Sequence, residues 1–407
     1  MNKKLIITFS LLLLIFTETN LFAQNNIKYF FFFIGDGMGI NQVYTANDYL
    51  KTKNDSIMFM HFPFKGIVNT SCKQKNKITD SGAAGTALAC GKKTYFGFIG
   101  KDSIDNFVSI ADTLKSLNKK IGIITSVSIN HATPACFYGK QNSRKNYDDL
   151  MSDLMKSDFD YFASGGILTN TKSFDYYYDT LLKNKYTIIQ SKDFITDNKN
   201  EKLFIIDKNI RKKNYSIEKQ YAEDKESFPY TIDMPEYNGL LATYTEKAYN
   251  HLDNKNGFFI MVEGGKIDWA CHSNDIKTAI YEIKAFDLAI EKAYNFYLKH
   301  PNETMIIITS DHETGGYSRG FGDNKAGTPE YYGFYIDELN RQTVSYLFDT
   351  INNNTKTIND KMQSGWTTKQ HTLNPVGLWI LGNIKTNNNF NIDNTDIFNI
   401  ILKNVKQ

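Results

Sequence analysis

The chain reads as an α/β protein built on a mostly parallel sheet, and three observations predict this. Short apolar runs alternate with segments of helical apolar spacing, the pattern of strands buried on both faces and covered by helices. Acidic residues follow the C-terminal ends of three of those runs (Asp36, Glu263 and Asp311), on the edge where open α/β sheets bind their ligands. No internal repeat or Pro/Ser-rich linker divides the chain, so one domain is expected over 24–407.

In chain order, the first element is a leader. Lys3 and Lys4 precede the apolar run Leu5 to Phe16, and Leu21-Phe22-Ala23 offers a cleavage point before Gln24. A run of twelve residues falls short of the roughly 20 that span a bilayer. A cleaved signal peptide over 1–23 is therefore preferred to an anchor, and the mature protein is expected to be exported, with no membrane segment. The expected strands are Tyr29–Ile34, Ile121–Thr125, Tyr161–Ala163, Phe258–Val262, Met305–Thr309 and Val376–Leu381. The expected helices include Ser109–Leu117, Tyr244–Leu252 and Ile276–Leu298. Two polar stretches, about 170–238 and 320–363, read as surface insertions.

Composition excludes some partners. The formal charge is +3, and losing two lysines and Glu18 with the leader leaves +2, too mild to argue for nucleic acid. The basic cluster from Lys208 to Lys213 reads as solvated surface. Four cysteines (Cys72, Cys90, Cys136 and Cys271) match no zinc spacing and allow three pairings. Cys136 and Cys271 read as small apolar fillers.

The chemistry lies in short motifs scattered along the chain. Ile78-Thr79-Asp80-Ser81-Gly82-Ala83-Ala84-Gly85-Thr86 places a hydroxyl with an acidic neighbour at a helix start, where unpaired N–H groups favour an anion. A packed helix using Ser81 as its N-cap is the alternative for that segment alone. The others are Phe33-Ile34-Gly35-Asp36-Gly37-Met38-Gly39, Asn130-His131-Ala132-Thr133-Pro134, the segment from Val262 to His272, Thr309-Ser310-Asp311-His312-Glu313-Thr314-Gly315-Gly316, and Gln370-His371-Thr372. In this order, from about Tyr29 to Gly382, they resemble the alkaline phosphatase family. The resemblance implies a three-layer sandwich with a large, mostly parallel central sheet flanked by helices. It also implies a zinc- and magnesium-dependent phosphomonoesterase with a phosphoserine intermediate.

The residues themselves support that division of labour. Asp268 and His272 lie four apart, on one face of a helix, and with His371 form a two-histidine, one-carboxylate set suited to catalytic zinc. Asp311 and His312, with Asp36 and the Ser81 oxygen, would hold a second zinc. Asp36, Thr133 and Glu263 make an all-oxygen set suited to magnesium. The resemblance assigns the same two zinc ions and one magnesium. One zinc would activate Ser81, and the other would stabilise the leaving oxygen and then supply hydroxide. Arg144, in Asn142-Ser143-Arg144-Lys145, matches the family's phosphate-binding arginine, and Asp80 could orient it.

Two positions depart from the best-studied bacterial members: His131 stands where they have an aspartate, and Trp269 where they have a lysine. The imidazole would weaken magnesium at the third site in favour of zinc or cobalt. The favoured reading is an exported hydrolase of small phosphomonoesters. The alternatives are another superfamily enzyme (a phosphodiesterase, sulfatase or phosphoglycerate mutase) and a non-catalytic phosphate-binding protein. The setting of Ser81 lacks the Cys/Ser-x-Pro-x-Arg pattern of sulfatases, and binding alone needs no nucleophile. The physiological substrate and the oligomeric state stay open, a homodimer being usual for the family.

Overall fold

Phe30, Phe31, Phe32 and Phe33 are all buried, yet they belong to two different cores. Successive strand residues point to opposite faces, so Tyr29, Phe31 and Phe33 pack into one core while Phe30, Phe32 and Ile34 pack into the other. Burying each ring stabilises the fold by about 1.5–3 kcal/mol. In this computed structural model, which describes residues 27–193, 198–207, 227–233, 239–319, 364–383 and 391–405, that strand runs through the middle of the molecule. The expected leader and the 320–363 stretch lie outside the described residues, as does part of the 170–238 stretch.

The strands are β1 (Tyr29–Gly35), β2 (Phe64–Asn69), β3 (Lys120–Thr125), β4 (Tyr161–Ser164), β5 (Tyr186–Ile189), β6 (Lys202–Ile206), β7 (Phe258–Gly264), β8 (Thr304–Thr309), β9 (Glu313–Thr314), β10 (Tyr317–Arg319), β11 (Ser364–Trp366), β12 (His371–Thr372), β13 (Val376–Leu381) and β14 (Asn391–Asp393). The helices are α1 (Ile40–Lys51), α2 (Ser81–Cys90), α3 (Ile110–Ser116), α4 (Ala132–Ala135), α5 (Tyr147–Ser157), α6 (Phe174–Lys183), α7 (Leu240–Leu252), α8 (Lys266–His272), α9 (Ile276–Lys299) and α10 (Asp396–Asn404). Ten strands form one sheet in the order β14-β2-β13-β8-β1-β7-β3-β4-β6-β5. One core lies between this sheet and α1, α7, α8 and α9, the other between it and α2 to α6 with α10. The expected three-layer α/β sandwich is thus the observed fold.

All six expected strands form. One needs correcting: as a buried apolar run, Val376–Leu381 is expected to lie parallel to the others, but β13 runs antiparallel to both β8 and β2. Its residues are buried on both faces like those of its neighbours, so its apolar run carries no sign of direction. The described part of 170–238 also does more than decorate a surface, since β5 and β6 extend the sheet and α6 packs beside β5. The four cysteines are free thiols.

Parallel register brings the chemistry to one level. Thr125, Glu263, Ile34 and Thr309 are paired across β3, β7, β1 and β8, so four neighbouring strands end together on one edge. Asp36 leaves that edge directly after β1, and Asp311 and His312 leave it just after β8.

Candidate metal centre and nucleophile

Asp80, not Ser81, caps α2: its carboxylate accepts from the Ala83 N–H at 3.1 Å and from the Gly97 N–H at 2.9 Å. Ser81 becomes the first helical residue, and its hydroxyl is released from capping to face the site. Ser81 Oγ lies 3.2 Å from His312 Nε2 and accepts from the Arg144 guanidinium at 3.4 Å. The same guanidinium nitrogen of Arg144 donates to Asp80 Oδ2 at 3.1 Å, while the other lies 3.2 Å from His131 Nε2. Asp80 therefore holds both the helix start and the cation beside the hydroxyl. Trp269 packs edge-on against the His131 ring, 6.1 Å between centroids.

The other site residues converge around Ser81. Asp36, Asp311 and His312 form one group whose ligating atoms lie within 4.8 Å of one another. Asp268, His312 and His371 form a second, and Asp36, His131 and Glu263 a third. His272 joins the second through Nε2, 3.2 Å from His371 Nε2 and 3.3 Å from Asp268 Oδ2. Thr133 donates to Asp36 Oδ2 at 3.4 Å, beside the third group. Every residue expected in the site is within this constellation.

Local chain geometry makes the convergence feasible. Gly37 has φ of +66°, and a side chain there would meet Asp268 Oδ1 at 2.5 Å and Thr314 Oγ1 at 2.8 Å. Its N–H donates to Asp311 Oδ1 at 3.2 Å, tying the loop after β1 to the loop after β8.

The histidines are oriented by their far nitrogens. His371 Nδ1 donates to the Thr79 carbonyl at 2.9 Å, and His272 Nδ1 to the Lys369 carbonyl at 2.5 Å. Thr314 commits its proton to Asp268 Oδ1 at 2.5 Å, so its oxygen accepts from His312 Nδ1 at 3.2 Å. With Nδ1 so engaged, all three Nε2 atoms are turned toward one space, and in the neutral tautomers that a bound cation would select they would present lone pairs to it.

A scan against protein families matches the alkaline phosphatase model over residues 27–165 and 221–407. The chain belongs to the alkaline phosphatase family. Alkaline phosphatase 4 of Bacillus subtilis (strain 168) is 30% identical over 425 residues, covering 92% of this chain and 87% of that protein. The solved alkaline phosphatase of the Antarctic bacterium TAB5 superposes with a TM-score of 0.71 at 28% identity, covering 94% of this chain and 99% of that one. A TAB5 variant with a histidine changed to aspartate, described with magnesium bound in its M3 site, gives 0.72 at the same identity and coverage. Membership makes the chain a phosphoric monoester hydrolase and sets aside the phosphodiesterase, sulfatase and binding-protein alternatives.

The constellation suits divalent cations on its own chemistry. Asp36 Oδ1, Glu263 Oε1, Asp311 Oδ2 and His131 Nδ1 are buried without a hydrogen-bond partner. Burial and the Asp311 charge hold the Asp36 carboxyl well above the ordinary range. Burial pushes Glu263 up to about 8 and, reinforced by the Asp268 charge, Asp311 up to about 7. Asp268 goes the other way: burial opposes its charge, but the His272 hydrogen bond and the surrounding histidines hold it well below the usual range. Burial, then the neighbouring cation Arg144, takes His131 down to about 3; burial and His371 keep His312 neutral too. Crowded carboxylates beside neutral imidazoles are a donor set that a bound cation would relieve.

Several supporting residues were given no role by sequence reasoning. Thr125 donates to Glu263 Oε2, Ser310 bridges the Met38 N–H and the His312 carbonyl, and Thr314 links Asp268 to His312. Ser310 and Thr314 lie within a recognised motif, but motif membership did not reveal these partners.

Proposed function

We propose that this chain is an exported, metal-dependent phosphomonoesterase that releases inorganic phosphate through a phosphoserine on Ser81. Asp36, Asp311, His312 and Ser81 Oγ hold one zinc, and Asp268, His272 and His371 hold a second. Asp36, Thr133 and Glu263 hold magnesium, at a site where His131 favours zinc or cobalt. The observation that carries the reading is the buried Ser81 hydroxyl at a helix start, 3.2 Å from His312 Nε2 and 3.4 Å from Arg144.

Bound zinc would supply Lewis-acid charge that lowers the pKa of the Ser81 hydroxyl and neutralises the leaving oxygen. Ser81 Oγ, deprotonated, attacks phosphorus while the ester P–O bond to the alcohol breaks. Arg144 grips two phosphoryl oxygens through its planar fork, held in place by Asp80 and His131. The first turn of α2 adds backbone N–H groups where negative charge gathers. Water then attacks the phosphoserine in line, and Ser81 leaves as the hydroxyl.

These residues address the phosphoryl group and leave the alcohol unspecified, so small phosphomonoesters as a class are the substrates. The positive n-region and apolar run at the N-terminus support export, and no helix among the described residues is long and apolar enough to cross a membrane. A homodimer is the proposed assembly. The TAB5 aspartate variant with magnesium in its M3 site supports the view that carboxylate favours magnesium at a site of this kind. The test is phosphate release from an aryl phosphate by the purified mature chain before and after chelation. Activity lost to the chelator and restored by zinc is expected; phosphate binding without turnover in zinc-loaded protein would overturn the reading.

A further inference from the structure

Glu313 is almost fully buried, and its carboxylate is surrounded by donors from three separate parts of the chain. Oε1 accepts from Gln42 Nε2 at 2.8 Å and the Tyr317 N–H at 3.3 Å; Oε2 accepts from the Gly316 N–H at 3.1 Å and the Thr372 hydroxyl. Gln42 Nε2 also donates to the Thr314 carbonyl at 2.9 Å. A side chain on Gly39 would collide with both Glu313 and Gln42, so glycine there lets the two approach.

Each donor segment carries a residue of the metal constellation. Gln42 lies in the first turn of α1, which follows the loop that holds Asp36. Glu313 follows Asp311 and His312, and the 316–317 turn belongs to the same loop. Thr372 follows His371, and β12 pairs with β9 so that Thr372 faces Glu313 and His371 faces Thr314. Other ties link these segments two at a time, through Gly37 to Asp311, Met38 to Ser310, Asn41 to the Tyr317 carbonyl and the β9–β12 pairing, whereas the Glu313 carboxylate binds donors from all three. Four hydrogen bonds to a buried charge outweigh neutral ones, because charge-assisted bonds are roughly twice as strong.

We propose that Glu313 is a positioning residue that holds the Asp36, His312 and His371 segments in zinc-binding register. The proposal rests on the reading of those three as zinc ligands. Glu313 touches neither substrate nor metal and acts through the chain segments it joins. Glu313→Gln keeps the shape but turns an acceptor into an amide that faces donors. Outer partners of metal ligands typically govern metal affinity by about 10–100-fold, and Glu313→Gln is expected to fall within that range.

The experiment uses the zinc-loaded full chain and follows zinc transfer to a colorimetric chelator, alongside zinc content and the melting temperature of metal-free protein. Zinc release from Glu313→Gln should be at least about 10-fold faster than from wild type, with kcat at saturating zinc largely retained. Thr372→Val, on a partly exposed strand where folding is safe, removes one donor and should accelerate release in the same direction; Thr372→Ser should restore the wild-type rate. Wild-type release from both Glu313→Gln and Thr372→Val would overturn the proposal, as would a lower metal-free melting temperature with unchanged release. If Glu313→Gln does not fold, the Thr372 pair decides alone. A wild-type protein that takes up no zinc would instead sink the ligand assignment on which the proposal rests.

Discussion

Asp36, Glu263, Asp311 and His312 are fully buried and sit within three residues of the ends of central strands, whereas His272 and His371 stand at the rim with 28% and 15% of their side chains exposed. The inner set is fixed by the parallel register of β1, β7 and β8. The rim pair is fixed by backbone carbonyls of loops, at Lys369 and Thr79. The inner residues are tied to the sheet ends, whereas His272 at the end of α8 and His371 on β12 are open to solvent, so a chelator reaches the rim pair first. The comparison teaches that one site can combine a rigid charge trap with an exchangeable half.

The largest expected effect lies where the halves meet. Ser81→Ala should cost several orders of magnitude in kcat while leaving metal content and fold nearly intact, since it removes the nucleophile and no strand-anchored ligand. Loss of both ions in that variant would show that the halves are not separately built.

Metal removal sharpens the contrast next. A chelator should draw zinc out in two phases, the fast one from the rim, and His272→Ala should abolish the fast phase while sparing the slow one. The inner carboxyls also set a pH dependence. Their raised values (Glu263 about 8, Asp311 about 7) mean that the metal-free fold binds protons more tightly than the unfolded chain does. Metal-free protein should therefore melt at a lower temperature as pH rises through 7 to 8, while zinc affinity, which requires those carboxylates ionised, rises over the same window. A metal-free melting temperature that climbs between pH 6 and 8.5 would contradict the charge-trap picture.

Arg144→Ala should reduce kcat/KM by about 2–4 kcal/mol and weaken phosphate inhibition, because a charge-assisted fork is lost while the metal ligands remain. Unchanged phosphate affinity would mean that its contact with Ser81 is incidental. The smallest effect is expected at His131. His131→Asp should lower the magnesium concentration needed for activation, more so combined with Trp269→Lys, measured by magnesium titration of zinc-loaded protein. Equal midpoints in all three proteins would place His131 outside the third metal's influence.

What was legible in the sequence follows the same division. The inner half was readable because strands buried on both faces appear as unbroken apolar runs, and motif residues follow three of them directly. β2 and β14 escaped notice because they are partly exposed and short on apolar residues, and β5 and β6 because their brief apolar runs sit inside a stretch that reads as a polar insertion. α1 escaped because it buries Gln42, Thr45 and Asn47 as well as apolar residues, which blurs the helical period. The grouping of His312 with Asp268 and His371 depends on loop conformation, which spacing does not encode. Glu313 stood inside a recognised motif, but its partners lie as far away as Gln42, beyond any local pattern.

The most direct test of the account is acid-quench labelling during turnover of a phosphomonoester carrying labelled phosphate. The account predicts one covalent phosphate per active chain, on the peptide containing Ser81 and absent from Ser81→Ala. Label on any other residue, or none from an enzyme shown to be turning over with rate-limiting dephosphorylation, would contradict it.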